Sequence, residues 1–578
     1  MLTIARRKRF IIFLLVFIVL AGTAGVLFNY LRSSQSVTAV IFRRNMRRVT
    51  TSPFLPRRPN VRYGLYIVSE RLYVNNILSE GTRLRSFADN KRVIESATFT
   101  RLIDYANGFM LDLPVGTVFD FSKSPNFVTA EGDSFSAVIS REWSAETFVC
   151  GYIAYYFNRF LLDERFLEYN GIRLLENYVS EYRERITVVI TDWPKHLYNS
   201  YTYFYFKTGT RIFYRVMVRY RYDEARMQDV LAQIEDSFEF FRPMGRAVYD
   251  VSWYPVLPGN WTPETVSLYN KFLDPNAFMW GIFVSRVTTE GIAYEIPEME
   301  RFLGQPFDIV LAYVHLDEEF PTDFMERCYN EGRITLLTYQ FTETNNHRLY
   351  GTSPIISLIR EGDDVRIRDF ARAAADFGRP FLFRLNNEMN SDWVSYGGVN
   401  NLLDPGLFIE AWRMVYRIFY EEGVTNAIWV WNPQDKDAPP NNWNSFVAYY
   451  PGNEYVHILG VTGYNTGTFY ADIFGEVWRE FRQIYDFIAY IYDGLFDSFP
   501  WIITEFASSS IGGDKVRWID NMFRDLHRYP QIRAAVWFSY ADWDFRLPYG
   551  EVAARPYWLD ETEETLEAFR RGLMQMRR

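Results

Sequence analysis

The sequence predicts an α/β protein whose C-terminal part, residues 246–578, folds as a (β/α)8 TIM barrel. After about residue 246, short apolar, β-rich runs alternate with longer helical stretches about eight times. Such alternation is typical of parallel βα units, and about 330 residues are enough for a barrel of eight of them. An open doubly wound sheet is the competing fold. It usually carries a Gly-rich first βα turn, and no G-x-G-x-x-G pattern follows Ser285.

The predicted barrel strands share short runs of apolar, β-branched and aromatic residues. They are Met279–Ser285, Phe307–His315, Ile334–Phe341, Pro380–Glu388, Ala427–Asn432, Ile458–Asn465, Trp501–Ala507 and Ile532–Tyr540. Predicted helices between them include Asp364–Phe377, Pro405–Glu422, Glu476–Asp493 and Lys515–His527. Two long loops, Gly351–Asp363 and Asp435–Asn453, are placed to block one end of a cleft at the mouth of the barrel.

Residues 60–245 are predicted to form a separate α+β domain. The run Thr187–Thr191 is typical of a buried strand, and Tyr201–Phe206 with Arg211–Tyr222 predicts a hairpin around a Gly-containing turn. A helix is expected over Asp223–Phe238, with Asp223 as its N-cap. No catalytic, metal or phosphate motif occurs here, which leaves a spacer, partner docking or carbohydrate binding as roles.

Two short segments mark the limits of this domain. Thr51–Pro59 holds three prolines and belongs to a linker, residues 33–59, and Arg242–Gly245 makes the second boundary. Within the domain, Glu142 stands beside Trp143. A lone carboxylate next to a tryptophan more often packs than reacts, so we expect a structural role for this pair.

The first 32 residues predict a basic cytoplasmic tail and a membrane anchor. Arg6 to Arg9 precede Phe10–Leu31, an apolar run of 22 residues without a charge, and about 20 residues suffice to cross a bilayer as a helix. The basic cluster places the N-terminus inside and the remaining domains outside. The alternative is a secretory signal cleaved near Ala21–Gly25. Either interpretation exports the body of the protein.

Charge and composition exclude several classes of function. Residues 1–69 hold twelve Arg or Lys and no acid, so the net charge of −9 leaves −21 on the rest of the chain, which argues against a nucleic-acid partner. Two cysteines, Cys150 and Cys328, exclude a disulfide scaffold and a zinc site with paired Cys ligands. They fall in different predicted domains, so we expect free thiols. Five scattered histidines make a His-based metal site unexpected. We therefore expect no metal and no cofactor.

Two predicted strands end in a glutamate. The fourth runs into Glu388 and the seventh into Glu505, and catalytic groups of such barrels lie at the carboxyl ends of strands. Retaining glycoside hydrolysis needs two facing carboxyl groups, an acid and a nucleophile, about 5–5.5 Å apart. Burial and the charge of Glu505 would keep Glu388 protonated. Arg384, an even four residues earlier, can point into the barrel and hold a carboxylate. The alternative is that each glutamate caps a strand or pairs with an arginine.

Other side chains at strand ends are candidates for sugar contacts. Trp431, Trp537 and Trp543 can stack on pyranose faces, although core packing is the alternative for any one of them. Four acids in the loops after strands five and eight can contact sugar hydroxyls or, without any compelling spacing, a metal: Asp435, Asp437, Asp542 and Asp544.

From about residue 250 to 575 the sequence resembles glycoside hydrolase family 26, within a clan of retaining (β/α)8 hydrolases. The resemblance rests on Arg384–Trp393, read RLNNEMNSDW, and on Thr504-Glu505-Phe506, with support from Val430–Pro433 and Gly460–Asn465. It implies Glu388 as acid/base and Glu505 as nucleophile. It also implies that Tyr464 bonds the nucleophile and that Trp393 and Trp431 line subsites.

The sequence departs from the family pattern at one position. Asn387 stands where the family usually has His; in the wider clan an Asn here bonds the sugar 2-hydroxyl. The resemblance implies a retaining endo-β-glycanase with β-mannan as the default substrate, and the N-terminal run predicts that it is exported and membrane-anchored. Xylan, mixed-linkage β-glucan and the cell's own envelope polysaccharide remain open. A non-catalytic carbohydrate-binding or sensing barrel is the alternative from another class.

Overall fold

The fold is described from a computed structural model, which describes residues 82–84, 91–193, 196–222, 225–245, 247, 249, 251–344, 351 and 353–576. The predicted anchor Phe10–Leu31 and the linker 33–59 lie outside these residues. Within the described ranges, no helix combines the length and the apolar character that crossing a bilayer requires.

Antiparallel sheets make up the first part of the described chain. Its strands are β1 (Thr82–Leu84), β2 (Lys91–Glu95), β3 (Thr100–Asp104), β4 (Phe109–Leu113), β5 (Val118–Asp120), β6 (Phe127–Glu131), β7 (Phe135–Trp143), β8 (Ile172–Val179), β9 (Arg183–Ile190), β10 (Ser200–Lys207), β11 (Ile212–Tyr220), β12 (Glu239–Phe240) and β13 (Val251–Trp253). Three helices accompany them: α1 (Val149–Tyr156), α2 (Glu164–Tyr169) and α3 (Met227–Ser237). The larger sheet has the order β5-β6-β7-β11-β10-β9-β8, and the smaller has the order β12-β4-β3-β2.

The predicted hairpin is present as β10 and β11. The two strands pair from Ser200↔Tyr220 to Lys207↔Phe213, and Gly209 takes a φ of 76° in the turn between them, a conformation that glycine adopts without steric cost. The predicted helix after the hairpin begins at Met227, not at Asp223, and its N-cap is Arg226. Asp223 itself lies outside the described residues.

Eight parallel strands close into the predicted barrel, with the last pairing with the first. They are β14 (Met279–Val284), β15 (Ile309–His315), β16 (Ile334–Gln340), β17 (Phe381–Leu385), β18 (Ala427–Trp431), β19 (Ile458–Asn465), β20 (Trp501–Ser508) and β21 (Ile532–Ser539), followed by the ribbon β22 (Ala541–Trp543) and β23 (Ala553–Pro556). The helices are α4 (Pro263–Lys271), α5 (Ile296–Leu303), α6 (Thr322–Asn330), α7 (Pro354–Glu361), α8 (Val365–Phe377), α9 (Pro405–Glu421), α10 (Ala471–Phe474), α11 (Phe481–Leu495), α12 (Lys515–Leu526) and α13 (Glu563–Met576).

Alternation along each strand separates two cores. On β18, Ile428 and Val430 belong to the barrel interior. Leu268 and Phe272, from α4 and the residue after it, pack into the same cluster. Trp429 and Trp431 of the same strand belong to the layer between the strands and the helices. This is the two-residue period of a β-strand acting on a closed sheet. It decides which side chains at a strand end can reach the mouth of the barrel.

The structure corrects three predicted boundaries. The fourth strand ends at Leu385 rather than Glu388, because Asn386 turns into the left-handed region with a φ of 48°. The helix predicted over Glu476–Asp493 begins only at Phe481, after a capping box at Glu480. The predicted loop Gly351–Asp363 contains helix α7, Pro354–Glu361, which Ser353 caps.

Glu142 joins the two antiparallel sheets of residues 91–240, which we call the sheet domain, to the barrel. Its buried carboxylate accepts the backbone N–H groups of Asn442 at 2.8 Å and Trp443 at 3.0 Å. Burial raises the pKa of this carboxyl group, and the bonds from those two N–H groups oppose the rise. The structural role predicted for the pair is confirmed for Glu142 but not for Trp143, which is 47% exposed. The Glu142 contact fixes the second long loop, Asp435–Asn453, against the sheet. Cys150 and Cys328 are free thiols.

Candidate active site

The two predicted glutamates lie buried at the carboxyl ends of β17 and β20. Glu388 is 4% exposed and Glu505 is 3% exposed. On β19, Val461 pairs with Ile503 of β20, and the next residue, Thr462, pairs with Glu505. Thr504 is therefore an extra residue, which makes a β-bulge in β20. A bulge re-aims the side chains that follow it. As a result, two successive side chains, Thr504 and Glu505, both point toward the barrel axis.

Three donors surround the Glu505 carboxylate. Arg384 Nη1 lies 2.6 Å from Oε1, the Tyr464 hydroxyl donates to Oε2 at 2.7 Å, and Asn387 Nδ2 lies 3.4 Å from Oε1. A guanidinium and oriented hydrogen-bond donors stabilise a negative charge. Glu505 is therefore equipped to act as a carboxylate. The predicted bond from Tyr464 to this residue is present in the structure.

Arg384 is fully buried and held from several sides. Its Nε donates to Thr338 Oγ1 at 2.7 Å and its Nη1 donates to Asn432 Oδ1 at 2.7 Å. The guanidinium also lies over the ring of Tyr313, 5.4 Å from its centroid. Arg384 thus forms an ion pair inside the barrel, and the carboxylate that it holds is that of Glu505. The two roles considered for Arg384, a structural ion pair and a support for a carboxylate, are the same contact.

Glu388 has a different environment. Its backbone takes a φ of 57°, and its N–H donates to Asn432 O at 2.7 Å, which fixes the turn that follows β17. Burial, and second the charge of Glu505, raise its pKa well above the ordinary value for a glutamate, while Arg384 and a bond from Thr462 oppose the rise. This shift favours the protonated form of Glu388. Two neighbouring carboxyl groups in unlike environments are the acid/base pattern of glycosidases.

Asn387 is oriented by residues that the sequence analysis did not single out. Its Oδ1 accepts from Gln340 Nε2 at 2.8 Å, and its carbonyl accepts from the Tyr396 hydroxyl at 2.9 Å. Gln340 ends β16, so inspecting the end of every barrel strand would have identified it, as it would Tyr313 near the end of β15. Tyr396 comes from an irregular loop and carries no such signal.

The tryptophans predicted to contact sugar differ in their exposure. Trp393 is 43% exposed on the loop that follows Glu388, where a sugar ring can reach it. Trp431 and Trp537 are fully buried and belong to the layer between strands and helices. The rings of Phe446 and Tyr450 lie against Trp431, and Trp537 donates to Tyr557 O at 2.8 Å. The predicted stacking role of these two tryptophans is wrong, because strand alternation turns both away from the mouth.

The four loop acids are already bonded within the protein. Asp435 pairs with Arg479, Asp542 with Arg555 and Asp544 with Arg546, while Asp437 accepts from Asn390 Nδ2 at 2.8 Å and from the Phe446 N–H at 2.9 Å. Among the residues that the structure describes, no three His, Cys, Asp or Glu side chains come together as metal ligands.

The fold and the site define a class: a (β/α)8 barrel with two buried glutamates after strands four and seven, one with a raised pKa and one held by an arginine and a tyrosine. The sequence model of glycosyl hydrolase family 26 matches residues 358–491. The C-terminal part of the chain, which contains them, resembles this family, as the sequence predicted.

Several relatives share this part of the chain. Endoglucanase H of Acetivibrio thermocellus is 29% identical over 258 residues, covering 44% of this chain and 27% of that protein. A mannan endo-1,4-beta-mannosidase of Bacillus subtilis is 33% identical over 106 residues, covering 18% of this chain and 28% of that protein. The chain thus spans little more than a quarter of the length of these curated relatives. A solved structure, the catalytic domain of a GH26 endo-beta-1,4-mannanase from Bacillus sp. JAMB-750, is 16% identical with a TM-score of 0.43, covering 56% of this chain and 93% of that one.

Proposed function

We propose that the barrel is a retaining endo-β-glycanase that hydrolyses β-1,4-linked polysaccharide, with β-mannan as its substrate. Glu388 is the acid/base and Glu505 is the nucleophile. The observation that carries this proposal is the asymmetry of the pair. Glu505 has a guanidinium and a phenol on its carboxylate, whereas burial and that nearby charge raise the pKa of Glu388 and favour its protonated form.

The reaction follows from these two protonation states. Glu505 attacks the anomeric carbon while Glu388 gives its proton to the departing glycosidic oxygen, which leaves a glycosyl ester on Glu505. Esterification removes the negative charge that helped to raise the pKa of Glu388, so Glu388, having given up its proton, stays ionised and can act as the base in the second step. It then takes a proton from water, the water oxygen attacks the anomeric carbon, and the carboxylate of Glu505 is released. Arg384 and Tyr464 hold that carboxylate in position throughout.

The substrate follows less directly from the site. The Bacillus subtilis relative is named for mannan, which supports β-mannan. The relative from Acetivibrio thermocellus is named an endoglucanase, and Asn387 replaces the usual family His, so a β-glucan, mixed-linkage glucan included, is the second candidate. Asn387 is held by Gln340 and lies 3.4 Å from Glu505. It is therefore placed to contact the hydroxyl next to the reacting carbon, where mannose and glucose differ.

The activity is tested with the full chain on mannan, glucomannan, xylan and mixed-linkage glucan, with reducing ends counted and the product anomer followed by NMR. We expect release with retained β-configuration. Inversion would contradict the roles given to the two glutamates. Binding of mannan without any release would favour a carbohydrate-binding barrel.

We further propose that the protein is exported and anchored by Phe10–Leu31. The support is the length of this uncharged run and the basic cluster before it. Fractionation of cells and mass measurement of the mature N-terminus test the proposal. A soluble extracellular form that begins after Ala24 would show a cleaved signal instead.

A further inference from the structure

A group of exposed aromatic side chains lies beside the loop that carries Trp393. Trp143, at the end of β7, is 47% exposed, and Tyr155, on α1, is 56% exposed. Tyr156 is partly exposed beside Tyr155, with ring centroids 4.7 Å apart at 79°. We call Trp143, Tyr155, Tyr156 and Trp393 the aromatic platform. Soluble proteins rarely gather exposed aromatic rings without a ligand for them.

The members on the sheet domain are joined into one surface. Asn441 donates to Trp143 O at 3.1 Å and accepts from the Tyr152 hydroxyl at 2.8 Å. The ring of Tyr152 lies 4.6 Å from the ring of Tyr156. Trp143 and the two exposed tyrosines therefore lie on neighbouring parts of the domain surface.

The same surface meets the loop after Glu388. Arg159 Nη2 lies 4.0 Å from Asp392 Oδ2, and Asp392 immediately precedes Trp393. The Arg159 guanidinium also lies over the Tyr155 ring, 5.3 Å from its centroid. The sheet domain thus continues the surface that begins at Trp393.

This arrangement is rigid, because the sheet domain holds the other end of the same loop. Leu402 and Leu403 adopt φ values of 55° and 52°, which are unusual for leucine. The Tyr203 hydroxyl donates to Leu402 O at 2.6 Å, and Arg215 Nη2 donates to Leu403 O at 2.7 Å. Both donors are buried side chains of the larger sheet. The sheet domain is therefore fixed to the barrel beside its mouth.

We propose that the aromatic platform is a distal binding site for the polysaccharide chain, so that the sheet domain lengthens the cleft of the barrel. This inference rests on the proposed function and extends it. Aromatic rings offer flat apolar faces to the C–H groups of pyranose rings. The ion pair between Arg159 and Asp392 is long and exposed and contributes little to stability, so both groups are available to sugar hydroxyls. The chemistry of the ligand is that of a long, neutral β-linked glycan.

The test compares a polymer with a tetrasaccharide in the full chain. In Tyr155→Ala and Trp143→Ala we expect kcat/KM on soluble mannan to fall about 5- to 10-fold, the loss of one ring contact. On the tetrasaccharide, which by this proposal occupies the barrel cleft alone, we expect less than about a twofold change. Tyr222→Ala is the matched control, because Tyr222 is 50% exposed on the same domain but follows the opposite end of β11.

Three results would overturn the proposal: an unchanged rate on the polymer, equal losses on both substrates, or a changed oligomeric state with unchanged retention on mannan. If the wild-type chain cleaves no glycan, the proposed function fails by itself. In that case, retention of the full chain on insoluble mannan still tests the platform. Weaker retention in Tyr155→Ala but not in Tyr222→Ala supports the distal site, and equal retention refutes it.

Discussion

Replacing Glu388 by Gln removes a proton donor while it keeps the size of the side chain. The N–H bond from residue 388 to Asn432 O involves only the backbone, so the turn after β17 is retained. The raised pKa of the buried carboxyl group favours its neutral form in the wild type, and the amide that replaces it is also neutral. We therefore expect the thermal unfolding of Glu388→Gln to match that of the wild type closely.

The expected loss of activity depends on the leaving group. General acid catalysis contributes about 10²- to 10⁴-fold, or about 3–5 kcal/mol of barrier. On polysaccharide, whose leaving alcohol needs the proton, turnover should fall by this factor. On a dinitrophenyl glycoside the leaving group needs no proton, so the first step should stay within about tenfold of the wild-type rate. The second step lacks its base, and the glycosyl ester on Glu505 should accumulate.

Rapid-mixing measurements follow the released phenol. We expect a burst equal to the enzyme concentration and then a slow steady state, which azide accelerates because it attacks without a base. The wild-type rate on polysaccharide should fall as pH rises through the raised pKa of Glu388, and the burst of the variant should lack this alkaline limb. The control Glu505→Gln should give no burst with either substrate. A burst lost as completely as polymer turnover would refute Glu388 as the acid.

Three more predictions test single contacts. Tyr464→Phe deletes the 2.7 Å bond to Glu505. A bond to a charged group contributes about 1.5–3 kcal/mol, so kcat should fall about 10- to 100-fold while thermal unfolding is unchanged. An unchanged kcat would contradict the role of Tyr464 in holding the nucleophile. Trp431→Phe should lower the free energy of unfolding by about 1–3 kcal/mol and leave KM unchanged. Trp393→Ala should raise KM without loss of stability. The reverse pattern would show that Trp431, and not Trp393, contacts the substrate. Burial raises the pKa of Asp437 to about 7, above about 3.9 in the unfolded chain, so folding binds a proton between these values and stability falls as pH rises across them. Between pH 5 and pH 8 this fall is at most about 3 kcal/mol, an upper value for a partly exposed residue, and urea unfolding at the two pH values should show that Asp437→Asn removes it.

The barrel was predictable because its strands are buried on both sides. All eight predicted runs overlap the strands observed, and Ile458–Asn465 matches at both ends. Parallel strands covered by helices consist of continuous apolar residues, which stand out against the amphipathic helices between them. The rule that catalytic groups follow the carboxyl ends of strands then identified Glu388 and Glu505.

The direction of a side chain at a strand end was harder to predict. Trp431 and Trp537 follow the alternation of their strands and face the helices. Glu505 does not follow it, because the bulge at Thr504 shifts the register by one residue. Counting from Ile502 in the barrel interior, a regular strand would turn Glu505 toward the helices. No local sequence signal marks such a bulge, since it depends on the pairing of β20 with its neighbours.

The contacts between the sheet domain and the barrel were beyond local sequence patterns altogether. Glu142 and Asn442 are 300 positions apart and bond at 2.8 Å. Contacts between the two parts of the chain also hold the loop that carries Glu388. The loop that starts at Glu388 returns to α9 through Leu402 and Leu403, whose carbonyls are held by the sheet domain. The loop that carries Glu388, the proposed acid/base, is therefore held by contacts from both parts of the chain. These contacts are the reason to propose that the sheet domain forms a second wall of the cleft and is more than a spacer.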